Sequence, residues 1–206
     1  MKIKFRENLF IFSNIILSME YVSGSELESV CENPSEQLEN IWSSRMSSSY
    51  VDTSLLDKGL SGDEVLYAAV EDGNILGYAA GSSVGLSDMS ASFSKEDIEE
   101  DLVESTGQVA VLEIVAVREG EGGRGIGSSV LDKTVSDLNS SSDAVFAEAW
   151  IRPGKTDGSD VLESVGFREL YNSSDYWKPK TKDFDTECPE CGNTTCSCSG
   201  ALYVFD

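Results

Sequence analysis

Apolar residues along this chain recur at helical spacing in some stretches and as short continuous or alternating runs in others. Residues 20–24 form a short strand candidate centred on Tyr21, Val22 and Ser23. Helical segments follow over 25–33 and 35–49, the second opened by Pro34 and carrying Leu38, Ile41, Trp42 and Met46 on one stripe. The Ser-rich stretch 43–54 overlaps its end and reads as loop. Residues 65–81 hold two apolar runs around Asp72, Gly73 and Asn74, the chemistry of a hairpin turn. Residues 86–107 are acidic and Ser-rich, and predict a variable loop with a helix near 95–104. The run 108–117 is apolar on both faces, as a central buried strand requires. Ile126, Val130, Leu131, Val135 and Leu138 then place an apolar stripe on a helix over 127–139. A second buried strand is expected over 143–150, a short helix over 159–165 ending at Gly166, and a strand pair over 167–177. The order β-α-α-β-β-β-α-β-α-β describes an α/β (α+β) domain whose first half is an antiparallel meander.

Charge changes the picture more than composition does. With 37 acidic against 15 basic residues the net charge is −22, spread along the chain rather than gathered in a tail. Such a surface repels itself unless cations screen it, as in proteins of salt-rich cytoplasm. It lacks the basic footprint that nucleic acid demands, and anionic membranes are excluded likewise. No apolar run reaches the length of a membrane span. Residues 1–18 differ: Lys2, Lys4 and Arg6 precede an apolar stretch over 9–17 with no small-residue cleavage site after it. They read as an atypical N-terminal extension, either a leader translated from upstream of Met19 or a loose extension, rather than a secretion signal. The chain has no histidine. Histidine-based triads and histidine metal ligands are therefore unavailable, and proton transfer must use carboxylates, Tyr, Lys, Cys or water.

Between the strand ending at Val117 and the helix after it lies Arg118-Glu-Gly-Glu-Gly-Gly-Arg-Gly-Ile-Gly127. Glycines here let the backbone turn its N–H groups inward at the positive end of the helix, an arrangement suited to a pyrophosphate. A dinucleotide fingerprint is present in letters, but it normally follows the first strand of a βαβ unit, and here a long meander precedes it. The Walker pattern fails for want of Lys-Ser or Lys-Thr after the last glycine. A ligand-free glycine connection stays open.

Arg124-Gly-Ile-Gly127, between that apolar strand and that amphipathic helix, resembles the acetyl-CoA signature of the GNAT N-acetyltransferase family. Gly166-Phe167 resembles the end of the family's last core helix. The resemblance covers residues 19–178 and implies a GNAT fold: a mixed central sheet with an antiparallel N-terminal meander and splayed central strands. It further implies acetyl-CoA as cosubstrate. Val115, Ala116 and Val117 would pair with the pantetheine arm, and Gly122, Gly123, Arg124, Gly125, Ile126, Gly127 and Ser128 would hold the pyrophosphate. Gly122 stands where the family usually has Arg or Gln, and Leu162 where it usually has its tyrosine acid.

Aminolysis of a thioester needs a neutral amine and a polarised carbonyl. Glu113, the one charge inside an apolar strand, is the first candidate base, with a structural carboxylate as its alternative; Glu148 is the second candidate. Tyr171 and Tyr176 are the tyrosines placed to supply a proton, unless each is an ordinary strand aromatic. The acceptor is read as a primary amine of a small molecule or a protein.

Residues 179–206 read as a separate metal-binding tail. Cys188-Pro-Glu-Cys191 and Cys196-Ser-Cys198 bring four thiols together in the pattern of a zinc knuckle. The site would be structural, with iron as the lesser alternative to zinc and disulfides disfavoured in a cytoplasmic setting. The apolar run 201–205 is expected to dock the tail on the sheet or on a second subunit, which leaves a homodimer open. The reading is a cytoplasmic GNAT enzyme adapted to salt; the alternative is an inactive acyl-CoA-binding or zinc-dependent interaction module.

Overall fold

The computed structural model of the 206-residue chain describes residues 18–46, 51–85, 108–152, 158–174, 176, 188, 191 and 196–205. The N-terminal extension, but for its last residue, and the acidic loop with its helix near 95–104 lie outside the described residues.

Seven strands form one mixed sheet: β1 Glu20–Ser23, β2 Val65–Glu71, β3 Asn74–Gly85, β4 Gln108–Val117, β5 Ala144–Ile151, β6 Arg168–Ser173 and β7 Ser199–Phe205. Their order is β1-β2-β3-β4-β5-β7-β6. The first four make the antiparallel meander, β4 and β5 run parallel, and β7 is antiparallel to both its neighbours. Asp72 and Gly73 both take positive φ in the β2–β3 turn, as the hairpin chemistry requires. The helices are α1 Leu27–Val30, α2 Pro34–Arg45, α3 Thr53–Ser61, α4 Ile126–Ser141 and α5 Gly158–Ser164. Leu38, Ile41 and Trp42 of α2 and Leu55 and Leu56 of α3 pack with Ala68, Tyr78 and Ile114 on one face. The stripe of α4 packs with Ala110, Leu112 and Val145 on the other. Among the described residues no helix is long and apolar enough to cross a membrane.

One expectation is corrected. The stretch read as loop over 43–54 contains the start of α3: the Asp52 side chain accepts from the Leu55 N–H at 3.1 Å, and Gly62 ends the helix in the left-handed region. Serine content hid a capped helix whose leucines face the core. Of the two docking places expected for the last apolar run, the sheet is the one seen: β7 inserts between β5 and β6, with Val145↔Phe205 to Ile151↔Ser199 on one side and Arg168↔Val204 to Ser173↔Gly200 on the other. Its apolar residues satisfy their backbone groups and bury both faces only in the sheet interior, where Ala201, Leu202, Tyr203 and Val204 are all buried.

Gly200 is needed for this insertion. A Cβ there would lie 2.2 Å from Cδ1 of Tyr176, whose ring covers the glycine. Gly200→Ala is expected to lower stability by about 1–3 kcal/mol, the usual cost of overpacking. Chemical denaturation matching the wild type would refute that close fit.

Candidate active site

The site arises where two parallel strands part. Pairing of β4 with β5 runs from Val109↔Ala144 to Leu112↔Ala147 and stops. Beyond that point β4 stays on β3 through Val117↔Gly77, and β5 stays on β7 through Ile151↔Ser199. Held by opposite neighbours, the facing edges of residues 113–117 and 148–151 no longer pair, and a cavity of about 930 Å³ opens between them. The β3–β4 register shifts at Ala80/Gly81, so Leu112 faces Gly81, Ile114 faces Ala80 and Glu113 has no partner. This bulge reverses the alternation of β4. Leu112 packs with α4, whereas Ile114 and Ala116 pack with α1–α3.

On the α4 side, the wall is the glycine turn. Gly120, Gly123 and Gly125 adopt positive φ, and Gly122 and Gly127 do not. Gly125 (φ 75°) is the N-cap of α4, with no side-chain cap and no acidic residue in the first turn. An added Cβ at Gly122, Gly123 or Gly125 would meet nothing within 4 Å. The N-terminal N–H groups of a 16-residue helix thus open toward a concave surface lined by Gly122, Gly123, Gly125, Ile126, Gly127 and Ser128. Arg118 anchors the turn: its Nε donates to the Ile75 carbonyl at 2.9 Å, and its NH2 donates to Gln37 Oε1 at 3.2 Å. Arg124 behaves differently from expectation. Its guanidinium pairs with Glu71 at 2.9 Å and with Glu121 and does not line the cavity. Glu121 does line it, so Arg124 offsets a carboxylate that would otherwise repel phosphate.

The α2 side carries the acid groups. Glu113, lifted out by the bulge, accepts from the Ser82 hydroxyl at 3.3 Å. Although the residue remains solvent-exposed, partial desolvation by the slot walls pushes its carboxyl above the ordinary range, opposed by the Ser82 hydrogen bond and aided by the nearby Glu148 charge. Glu148 stands on the face of β5 that carries Phe146 and Trp150, and the Tyr176 hydroxyl donates to its Oε2 at 2.7 Å. Both carboxylates line the cavity. Tyr171 is not brought there: it lies 37% exposed on the outer strand β6, with β7 between it and β5. Tyr176 is not among the described lining residues, but its hydroxyl reaches the site at Glu148. Leu162, buried on α5, lines the cavity where the family tyrosine was sought. Arg45, at the end of α2, and Arg152, just after β5, also line it, and sequence reasoning missed both. For Arg152 the signal was present, since 148, 150 and 152 share one face of an extended strand. For Arg45 no local signal existed.

Beside the site, the sulfurs of Cys188, Cys191, Cys196 and Cys198 all lie within 4.8 Å of one another. Sγ of Cys198 is 3.9 Å from that of Cys188 and 3.8 Å from that of Cys191. Four thiolates about 2.3 Å from a tetrahedral zinc stand about 3.8 Å apart, so the spacing fits the ion. The Cys191 N–H donates to the Cys188 sulfur at 3.3 Å, the backbone support expected of a knuckle. Cys188, Cys196 and Cys198 bury themselves with Trp150, Tyr176 and Leu202, on the same face as Glu148.

The sequence matches the model of the acetyltransferase (GNAT) family over residues 27–152. The chain belongs to the GNAT family. Solved structures agree on the fold at low identity. Arabidopsis thaliana NAA60 in complex with a bisubstrate analogue is 12% identical, with a TM-score of 0.61 over 91% of this chain and 97% of that one. The Escherichia coli ribosomal-protein-S18-alanine N-acetyltransferase is 14% identical, with a TM-score of 0.55 over 91% and 93%. A Bacillus subtilis acetyltransferase in complex with CoA is 13% identical, with a TM-score of 0.56 over 90% and 97%. No curated protein matches the sequence. This GNAT chain therefore has the family's splayed sheet, with a cysteine cluster in the connection from β6 to β7.

Proposed function

We propose that the chain transfers the acetyl group of acetyl-CoA to a primary amine. The observation that carries this reading is the parting of β4 and β5 at Leu112/Ala147, with an uncapped helix N-terminus on one side and two carboxylates on the other. The free edge of β4 at Val115, Ala116 and Val117 would take the pantetheine arm as an added strand, and the turn 122–128 would take the pyrophosphate. The neighbours in complex with CoA or a bisubstrate analogue support this assignment.

The chemistry then follows from the lining. Glu113, its proton affinity raised by partial desolvation, accepts a proton from the acceptor ammonium, and Glu148, oriented by Tyr176, holds that ammonium in the slot. The neutral amine attacks the thioester carbon, whose oxygen is polarised by a β4 N–H; the C–N bond forms, the C–S bond breaks, and the thiolate leaves. No tyrosine lines the cavity among the described residues. The leaving thiolate therefore takes the proton shed by the new amide nitrogen, directly or through water. That suffices for a thiol of pKa about 8.5. The four cysteines would hold structural zinc, and the acidic surface suits a reducing, salt-rich cytoplasm.

The test is mass-spectrometric detection of acetylated amine from acetyl-CoA and an amine panel in about 2–3 M KCl, where surface repulsion is screened. Acetyl-CoA binding without any turnover would favour an inactive module. For the base, kcat/KM should rise with pH along a limb above the ordinary carboxylate range. Glu113→Gln should remove that limb and lower kcat about 10²-fold. An unchanged limb would exclude Glu113.

A further inference from the structure

The acceptor end of the slot is bipolar. In a chain of net charge −22 the ion pairs among the described residues are Lys58–Glu64, Arg124–Glu71 and Arg124–Glu121. Arg45 and Arg152, which line the slot on the side of Glu113 and Glu148, are in none of them. Arg152 is nonetheless held in place: its NH2 donates to the Arg45 carbonyl at 2.9 Å, and its guanidinium lies 5.4 Å from the centroid of the Trp150 ring. Among the described residues neither arginine has a carboxylate partner, and Arg152 is preset by stacking and a hydrogen bond, which leaves donors for an anion from outside. The guanidinium lies over the ring of Trp150, whose backbone stands two residues along β5 from that of Glu148, a rise of about 6.6 Å.

We propose that the acceptor is a small zwitterion: its amine sits at Glu113 and Glu148, and its carboxylate, farther along β5, sits on Arg152 in the part of the slot that Arg45 also lines. This rests on the acetyl-transfer reading and narrows its substrate class. The rival occupant is a dication, which the carboxylates alone would favour. Asp52 and Glu64 add to the negative field at Glu113. The two arginines at the far end oppose a second positive charge and leave no energetic reason to prefer one.

Three probes of equal chain length separate these occupants: 5-aminopentanoate, pentylamine and 1,5-diaminopentane, which differ only in a terminal carboxylate, methyl or ammonium. Their kcat/KM values are compared in the intact zinc-loaded chain and in Arg152→Gln. Their binding to the protein saturated with CoA is measured by calorimetry, so that slow chemistry does not hide the ranking. The carboxylated amine is expected to lead both others by at least tenfold, through KM, and to fall to the level of pentylamine in Arg152→Gln. Equal values for pentylamine, a lead for the diamine, or a preference that survives Arg152→Gln overturns the proposal. Acetyl-CoA affinity is measured on the same samples. If it is normal while the ranking fails, only the zwitterion is lost; if acetyl-CoA does not bind, the acetyl-transfer reading falls with it.

Discussion

Gly125→Glu is expected to abolish acetyl-CoA binding, by at least a hundredfold in Kd, while the protein stays folded. The substituted position caps α4, lines the slot and has open space where a Cβ would project. The Cβ of a glutamate there meets nothing within 4 Å, and its carboxylate places a negative charge near the N–H groups that would receive the pyrophosphate. The positive φ of 75° adds a strain of about 1–2 kcal/mol. Gly125→Ala serves as the control, because it carries the strain without the charge and should lose far less affinity. Calorimetry on both variants in concentrated KCl reads the difference. Should the glutamate variant bind like the alanine variant, the turn would not be the phosphate cradle.

Metal removal should have the largest effect on stability. The cysteine cluster closes the connection into β7, since Cys198 directly precedes that strand, and β7 carries the backbone bonds of both β5 and β6. An ion bound only by the native state at a thousand times its dissociation constant contributes about 4 kcal/mol. For a chain of this size the loss corresponds to a fall of about 8–16 °C in Tm. A chelator strong enough to strip zinc should produce that fall, and Cys196→Ser should reproduce it without chelator. Cys196 is buried with Trp150 and Tyr176, so loosening it also disturbs the hydrogen bond from Tyr176 to Glu148. Acceptor KM is therefore expected to rise before the sheet melts. Elemental analysis finding no metal in the purified chain, with a Tm indifferent to chelator, would contradict the assignment.

Much of this site is written in short stretches of chain. Asp72-Gly73 turns because two successive residues there must adopt positive φ, and the hairpin follows from that alone. The run 108–117 is buried on both faces because its neighbours cover both, and its composition reveals it. The glycine turn and the uncapped helix after it are neighbours in sequence, so their joint chemistry is visible before folding. The same holds for Cys188 with Cys191 and for Cys196 with Cys198. Where local signals conflicted, the reading failed. Serines at 43, 44, 47, 48, 49 and 54 masked the capped helix α3, and the apolar run beyond the cysteines left open whether it docks on the sheet or on a second subunit.

Sequence alone thus determined the glycine turn, the two strands that flank it, and the grouping of four cysteines, because each depends on residues a few positions apart. Only the tertiary structure decided that β7 enters between β5 and β6, that pairing of β4 and β5 ends at Leu112/Ala147, and that a bulge lifts Glu113 into the opening. It also turned Arg124 toward Glu71, 53 residues away, and brought Arg45 to Arg152 across 107 residues. Those outcomes are settled by competition among distant surfaces for burial and backbone hydrogen bonds, and no local pattern in the chain encodes which surface wins.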